Sequence, residues 1–178
     1  LNLGVDILPE QAPALEILQT EISPINGRTY HVLEASTWTD AEAMARTLGG
    51  HLATIRSRDE NRWILQTFGQ ANGRNRDLWI GLNDARREGR WEWSSGEPVE
   101  YTHFDRKQPD NGVDERTGGI NEDYVHMYGD QSERRDGRWN DGQDVSRAAY
   151  STGFYGLVEV FEAPAETDTR PDSEDPND

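Results

Sequence analysis

Between residues 108 and 141 the chain gathers side-chain oxygens in three short runs: Gln108-Pro109-Asp110-Asn111, Glu122-Asp123 and Trp139-Asn140-Asp141. The chain has no cysteine, which excludes disulfides, thiolate metal sites and cysteine nucleophiles. Carboxylates and amides without sulfur are the donors of a hard cation, and Ca²⁺ takes roughly six to eight such oxygens. The four histidines have no metal spacing, so Zn²⁺ does not fit. Taken singly, Pro-Asp-Asn-Gly and Asn-Asp-Gly are also turn chemistry; only convergence of the runs makes them a site. No Ser/His/Asp arrangement and no Gly-rich phosphate cradle accompanies them, so a non-catalytic protein is expected.

Two helices and several strands must position these runs. Thr39-Asp40-Ala41-Glu42 reads as a capping box with Thr39 as N-cap, followed by Ala41, Met44, Ala45 and Leu48 at helical spacing and a Gly49-Gly50 stop. Ser57-Arg58-Asp59-Glu60 is a second box, with Trp63, Ile64, Thr67 and Phe68 on the inner face and Gly69 at the end. Strands are expected at His51–Ile55, Leu78–Leu82, Trp91–Trp93, Tyr124–Tyr128 and Gly156–Val160, with a hairpin turn at Asp136-Gly137. Early helices followed by strands and loops imply an α+β fold. The stretch 94–122, rich in Gly, Pro, Asp and Asn, is long enough to be functional in its own right.

The chain has 178 residues and a formal charge of −16. The charge argues against nucleic acid and anionic membrane surfaces, both of which attract basic patches. No apolar run of about twenty residues exists to insert into a membrane. Residues 1–26 read as a linker or the end of a preceding domain, 27–162 as the globular domain, and 163–178 as an acidic disordered tail or linker. The six Trp, six Tyr and four Phe supply a core that does not depend on disulfides. The chain looks like part of something longer, tethered to other domains.

The order of motifs is similar to that of the C-type lectin-like domain across residues 27–161. It comprises a tryptophan before a capped helix, Leu48-Gly49-Gly50-His51-Leu52-Ala53-Thr54-Ile55, Glu60-Asn61, Trp79-Ile80-Gly81-Leu82, Trp91-Glu92-Trp93, Gln108-Pro109-Asp110, Glu122-Asp123 and Trp139-Asn140-Asp141. The resemblance implies two helices flanking small antiparallel sheets, paired terminal strands and a long calcium-binding loop region. It also implies a secreted or cell-surface setting, such as an adhesin. Tyr124 stands where a cysteine is usual, which suggests a cysteine-free, bacterial branch.

Carried over residue by residue, the resemblance implies a principal Ca²⁺ site of Gln108, Asp110, Glu122, Asn140 and Asp141, with a cis bond before Pro109. An auxiliary site of Asp84, Glu88, Asn111 and Asp123 would share Glu122, giving one or two ions. The alternative is that Asp84 and Glu88 pair with Arg86, Arg87 or Arg90. Gln108, Asp110, Glu122 and Asn140 would also touch a carbohydrate ligand. Gln-Pro-Asp points to galactose-type sugars, although Asn111-Gly112-Val113 lacks the usual stacking aromatic. Gly118-Gly119 resembles the glycine-rich loop of hepatic galactose receptors, and His126 falls where those receptors touch a 2-acetamido group. A strand histidine facing solvent or core is the other reading of His126. The second reading of the whole is a protein- or ice-binding module in which Ca²⁺ only orders the loops.

Overall fold

A computed structural model describes residues 14–70, 73, 75–112, 121–129, 137–146 and 153–161. Its elements in chain order are β1 (Ile17–Ile22), β2 (Thr29–Ala35), α1 (Trp38–Thr47), β3 (Gly50–Leu52), α2 (Arg58–Ile64), β4 (Asp77–Asn83), β5 (Glu92–Trp93), β6 (Tyr124–Met127), β7 (Trp139–Gly142) and β8 (Phe154–Val160). A π-helical turn, Leu65–Gly69, extends α2 and stops at the glycine that the sequence marks as its end.

The strands form one connected sheet in the order β1-β2-β8-β4-β6-β7, with β3 added to β8 and β5 to β4. Small antiparallel sheets are the expectation, and this differs in two ways: the strands are continuous, and β4 and β8 run parallel, Leu78 opposite Tyr155. The terminal strands do pair, since β2 lies antiparallel to β8. Residues 17–22, within the stretch expected to be a linker or a preceding domain, form β1 on β2. Most of its side chains are exposed. Backbone pairing holds this strand, and no burial pattern announces it.

Period-two alternation divides the core between the two faces of the sheet. Leu78, Ile80 and Leu82 of β4 join Val32, Leu157, Ile64, Phe68 and Trp139 on the α2 side. Trp79 joins Leu33, Val158, Phe154 and the α1 residues Trp38, Ala41 and Ala45 on the other. Gly81 also points to the α1 side, where an added Cβ would lie 2.5 Å from the Leu52 carbonyl oxygen and 2.7 Å from Ser94 Oγ. The buried indoles are satisfied: Trp38 Nε1 donates to the Ile80 carbonyl at 2.8 Å and Trp79 Nε1 to that of Ser36 at 3.1 Å.

The N-cap of the first helix lies two residues before the expected one. Thr37 caps it, its Oγ1 accepting from the Asp40 N–H at 3.1 Å. Thr39 is occupied by Asp144, to which its hydroxyl donates at 2.7 Å. Glu42 does not reach back to the cap; it is buried and accepts from the Leu52 N–H at 2.8 Å, tying α1 to β3. Ser57 caps α2 as expected, accepting from the Glu60 N–H, while the Glu60 carboxylate returns to the N–H of Arg56, one residue earlier than a capping box requires.

Partly buried ion pairs centre on one buried carboxylate. Glu159 of β8, 1% exposed, accepts from Arg28 Nη1 at 2.7 Å, Arg56 Nη1 at 2.9 Å, Tyr30 Oη at 3.1 Å and the Thr54 N–H at 3.1 Å. Glu97 takes the other edge of the Arg56 guanidinium. Burial opposes the charge on Arg56, but the hydrogen bonds and fields of Glu97 and Glu159 outweigh it and raise its pKa.

Candidate metal centre

Strands β6 and β7 carry two of the oxygen-rich runs into register, Val125 opposite Asp141 and His126 opposite Asn140. Trp139 fixes the height of β7. It is fully buried, its Nε1 donates to Asn61 Oδ1 of α2 at 2.8 Å, and its ring meets Trp93, Tyr101 and Phe104 edge-on. The loop that leads to Gln108 is sewn to the same residue: Trp139 N–H donates to the His103 carbonyl at 2.9 Å and Asp105 N–H to that of Trp139 at 2.8 Å. The loop and the strand therefore deliver their oxygens to one place. The Gln108-Pro109 bond is cis.

Asp110, Glu122 and Asp141 each offer a carboxylate oxygen, and the three oxygens lie within 4.8 Å of one another. Gln108 Oε1 and Asn140 Oδ1 are buried and have no hydrogen-bond partner among the described residues. Buried amide oxygens are normally satisfied, so these two are acceptors whose lone pairs are held ready for something else. Three carboxylates and two amide oxygens, with no nitrogen or sulfur among them, fit Ca²⁺.

The electrostatics agree. Burial, then the charges of Asp141 and Asp110, push the Glu122 pKa up to about 7. Burial also raises that of Asp141, against hydrogen bonds from the backbone of Asn111 and Asp110. The cluster is thus short of positive charge, which a divalent cation supplies.

The auxiliary set is adjacent but arranged differently. Asp84, 1% exposed, receives the Gly89 N–H on Oδ2 at 2.8 Å, and its Oδ1 finds no partner among the described residues. Burial, then Glu88, Asp123 and Asp141, raise its pKa to about 6. Glu88 accepts from the Asn111 side-chain amide at 2.9 Å, and Asn111 Oδ1 accepts from the Glu122 N–H at 2.8 Å. Asp123 accepts from Asn121 at 2.6 Å. Asp110, Glu122 and Asp141 form the only group of three acidic or histidine ligands that close among the described residues. Neither Asp84 nor Glu88 pairs with Arg86, Arg87 or Arg90; Arg86 turns to Glu92 instead.

His126 lies beneath the site. Its ring is 4% exposed and packs against Trp79, Tyr128 and Phe154, with Nε2 3.4 Å from the Asn140 side-chain nitrogen. This burial fits the core reading of the histidine: it packs on the Trp79 face of the sheet, directly across the ladder from Asn140. Asp136, Gly118 and Gly119 lie outside the described residues.

Sequence reasoning passed over the pairing of Glu159 and weighed the three arginines only as partners for Asp84 and Glu88. Glu159 interrupts an apolar strand, which is a usable signal of a paired buried charge. Arg86, Arg87 and Arg90 place three cations in five residues of a chain with net charge −16.

A family model described as the lectin C-type domain matches residues 34–150. The galactose-specific lectin nattectin of Thalassophryne nattereri is 42% identical over 76 residues, covering 43% of this chain and 48% of its own. Lectin BRA-3 of Megabalanus rosa is 39% identical over 101 residues, covering 53% and 59%. The carbohydrate-recognition domain of the mouse scavenger receptor C-type lectin superposes with a TM-score of 0.56 at 28% identity, covering 77% of this chain and 92% of that one. The chain spans about half the length of the curated relatives it matches. These relatives are animal proteins, and neither they nor the family model describe an enzyme. No helix among the described residues is long and apolar enough to cross a membrane. With two thirds of its length under that family model and the same fold, the chain belongs to the C-type lectin domain family.

Proposed function

We propose that this domain is a calcium-dependent carbohydrate-binding module with a galactose-type preference. One observation carries the reading: three carboxylates converge within 4.8 Å beside two buried amide oxygens that lack partners. Gln108, Asp110, Glu122, Asn140 and Asp141 would hold one Ca²⁺. Bound there, the ion supplies open coordination positions for the two hydroxyls of a vicinal diol. The chain's own part is to orient those hydroxyls. Asp110 and Glu122 accept their protons, and the amides of Gln108 and Asn140 donate to their oxygens. His126 supports Asn140 from below rather than touching the ligand.

The order amide, proline, acid at 108–110 supports galactose, and the relative named as galactose-specific is consistent with it. A place at the cell surface or outside it, within a larger protein such as a bacterial adhesin, completes the reading. One feature supports this setting: a Ca²⁺ site of the kind that extracellular calcium levels fill. A second Ca²⁺ at Asp84, Glu88, Asn111 and Asp123 is the extension that the unpartnered Asp84 oxygen favours.

Calorimetric titration of Ca²⁺, followed by galactose into the loaded protein, tests the reading. A flat Ca²⁺ trace removes it. Ca²⁺ binding without any glycan recognised on an array favours instead a protein- or ice-binding module, the reading that the missing aromatic after Asp110 supports. Sugar binding that survives a chelator refutes the mechanism.

A further inference from the structure

Strand β1 is one edge of the sheet, and among the described residues no strand lies beyond it. Four of the six exposed large apolar side chains among the described residues fall on it or on the turn that follows: Ile17, Leu18, Ile22 and Ile25, with Ile22 66% exposed. The strand has neither lysine nor proline, the usual guards of a free edge. Its backbone is also ready to pair. The Ser23 N–H donates to the Arg28 carbonyl at 2.9 Å. The alternation of an antiparallel ladder then turns the N–H and C=O groups of Thr20 and Ile22 away from β2, towards the free edge.

The register of β1 on β2 fixes which side chains share a face. Ile17, Thr20 and Ile22 stand opposite Leu33, His31 and Thr29, and residues directly opposite in a ladder project from the same face. Leu33 belongs to the α1-side core, and Thr20 Oγ1 lies 2.8 Å from His31 Nδ1. The extra residue at the Leu18 irregularity is what brings Ile17 onto that face. Gln19 and Glu21 project from the α2 side, where the Gln19 amide donates to the Thr67 carbonyl at 3.1 Å.

A two-fold axis through Thr20 makes this edge complementary to itself. It sets Ile17 opposite Ile22 of a second copy, Thr20 opposite Thr20, and Glu21 opposite Gln19, so that no like charges meet. An axis through Glu21 would set two carboxylates face to face. An axis through Gln19 would set Glu21 opposite Glu16, whose carbonyl accepts from the Glu34 N–H one step further along the ladder. Like charges directly opposite are destabilising, so the Thr20 register is the one that these side chains select.

We propose that the β1 edge is the interface of a symmetric dimer, in which β1 of a second copy pairs antiparallel with it about Thr20 and the two sheets join into one. The proposal goes beyond the calcium and sugar reading and is independent of it, since no residue of β1 belongs to the carboxylate cluster. A free edge accepts an extended strand, and a second copy offers one whose apolar and polar positions match. Each copy carries a formal charge of −16, which opposes association. Apolar contact and backbone pairing must outweigh it.

Sedimentation of the whole chain from micromolar to millimolar concentration tests this. Wild type is expected to pass from monomer to dimer as concentration rises, and added salt to favour the dimer by screening the repulsion of the two copies. The Ile17→Lys/Ile22→Lys variant, altered only at exposed side chains, is expected to melt as wild type does and to stay monomeric. The chain has no cysteine, so single thiols report the register. In Thr20→Cys the two Cα atoms would lie about 5.5 Å apart, within disulfide reach, and mild oxidation should yield a covalent dimer. In Glu21→Cys they would lie about 8 Å apart, too far to bridge, and the chain should stay uncrosslinked. A wild type that is monomeric throughout the range overturns the proposal, as does a dimer that survives the double variant. If that monomer also protects the Thr20 and Ile22 amides from hydrogen exchange, the edge belongs to the residues ahead of β1 instead. Crosslinking of Glu21→Cys as fast as Thr20→Cys overturns the register and with it the stated interface.

Discussion

The backbone N–H of Asn111 donates to Asp141 Oδ2 at 2.7 Å, across 30 positions of sequence. The side chain of Asn111 meanwhile donates to Glu88 and accepts from the Glu122 N–H. One residue, at φ 52°, thus joins all three acidic segments; Asn adopts this left-handed backbone more readily than most side chains. Asp141 in turn is the acceptor for the loop and, in the proposed site, also a ligand of the metal.

Asp141→Ala removes both roles. It is expected to abolish Ca²⁺ binding in calorimetry and to lower the melting temperature of the metal-free protein as well, because the Asp110 and Asn111 N–H groups lose their acceptor. A lost acceptor of this kind costs about 1–3 kcal/mol. Asn140→Asp separates the functions: the metal is retained, while sugar affinity falls because the amide donor is gone. Equal loss of metal and sugar in Asn140→Asp contradicts the assigned role.

Acidity should act oppositely on the metal-free and loaded protein. The folded-state pKa of Glu122 is raised to about 7 and that of Asp84 to about 6 by burial and neighbouring acids. Such groups hold protons more tightly folded than unfolded. Their contribution is therefore fully present below the unfolded values near 4.5 and 3.8 and is lost as pH rises towards 6 and 7. Melts in chelator should show these groups lowering the melting temperature between about pH 4 and pH 7. The increment from added Ca²⁺ should grow over the same range, since the ligands must be deprotonated. An increment independent of pH contradicts the ligand assignment.

Glu159→Gln should be strongly destabilising. It leaves Arg56 and Arg28 without their buried partner. Breaking such a pair from one side costs about 3 kcal/mol. Denaturant unfolding reads this directly, and Ca²⁺ affinity of the folded fraction should be unchanged, because none of these residues belongs to the cluster. A loss below about 1 kcal/mol would mean that the pairs behave like exposed ones.

Gly81→Ala tests the packing behind the centre. The new methyl would sit 2.5 Å from a backbone oxygen of Leu52, which cannot swing away as a side chain can. Overpacking of this kind costs about 1–3 kcal/mol. Thermal unfolding measures it, and an unchanged midpoint would show that β3 and β4 can separate freely.

Much of the fold was legible because it depends on local pattern. The Leu78–Leu82 run is buried as its composition predicts, Ser57 caps the helix it precedes, and Gly69 ends it. Other features depend on neighbours remote in sequence. Thr37 rather than Thr39 caps α1 because Asp144 occupies Thr39. Strand β1 is held by pairing and not by burial. Glu42 and Glu159 are buried because distant donors meet them.

Composition and motif order were enough to set the kind of site: oxygen ligands, no thiol chemistry, and the motif order of a lectin domain. Tertiary structure decided which oxygens meet. It brought Asp110, Glu122 and Asp141 together, left Gln108 and Asn140 with unpartnered oxygens, and turned His126 into the core. Residue type sets what an atom can bind, but the approach of atoms from separate strands and loops is set by sheet register and by the anchoring of Trp139.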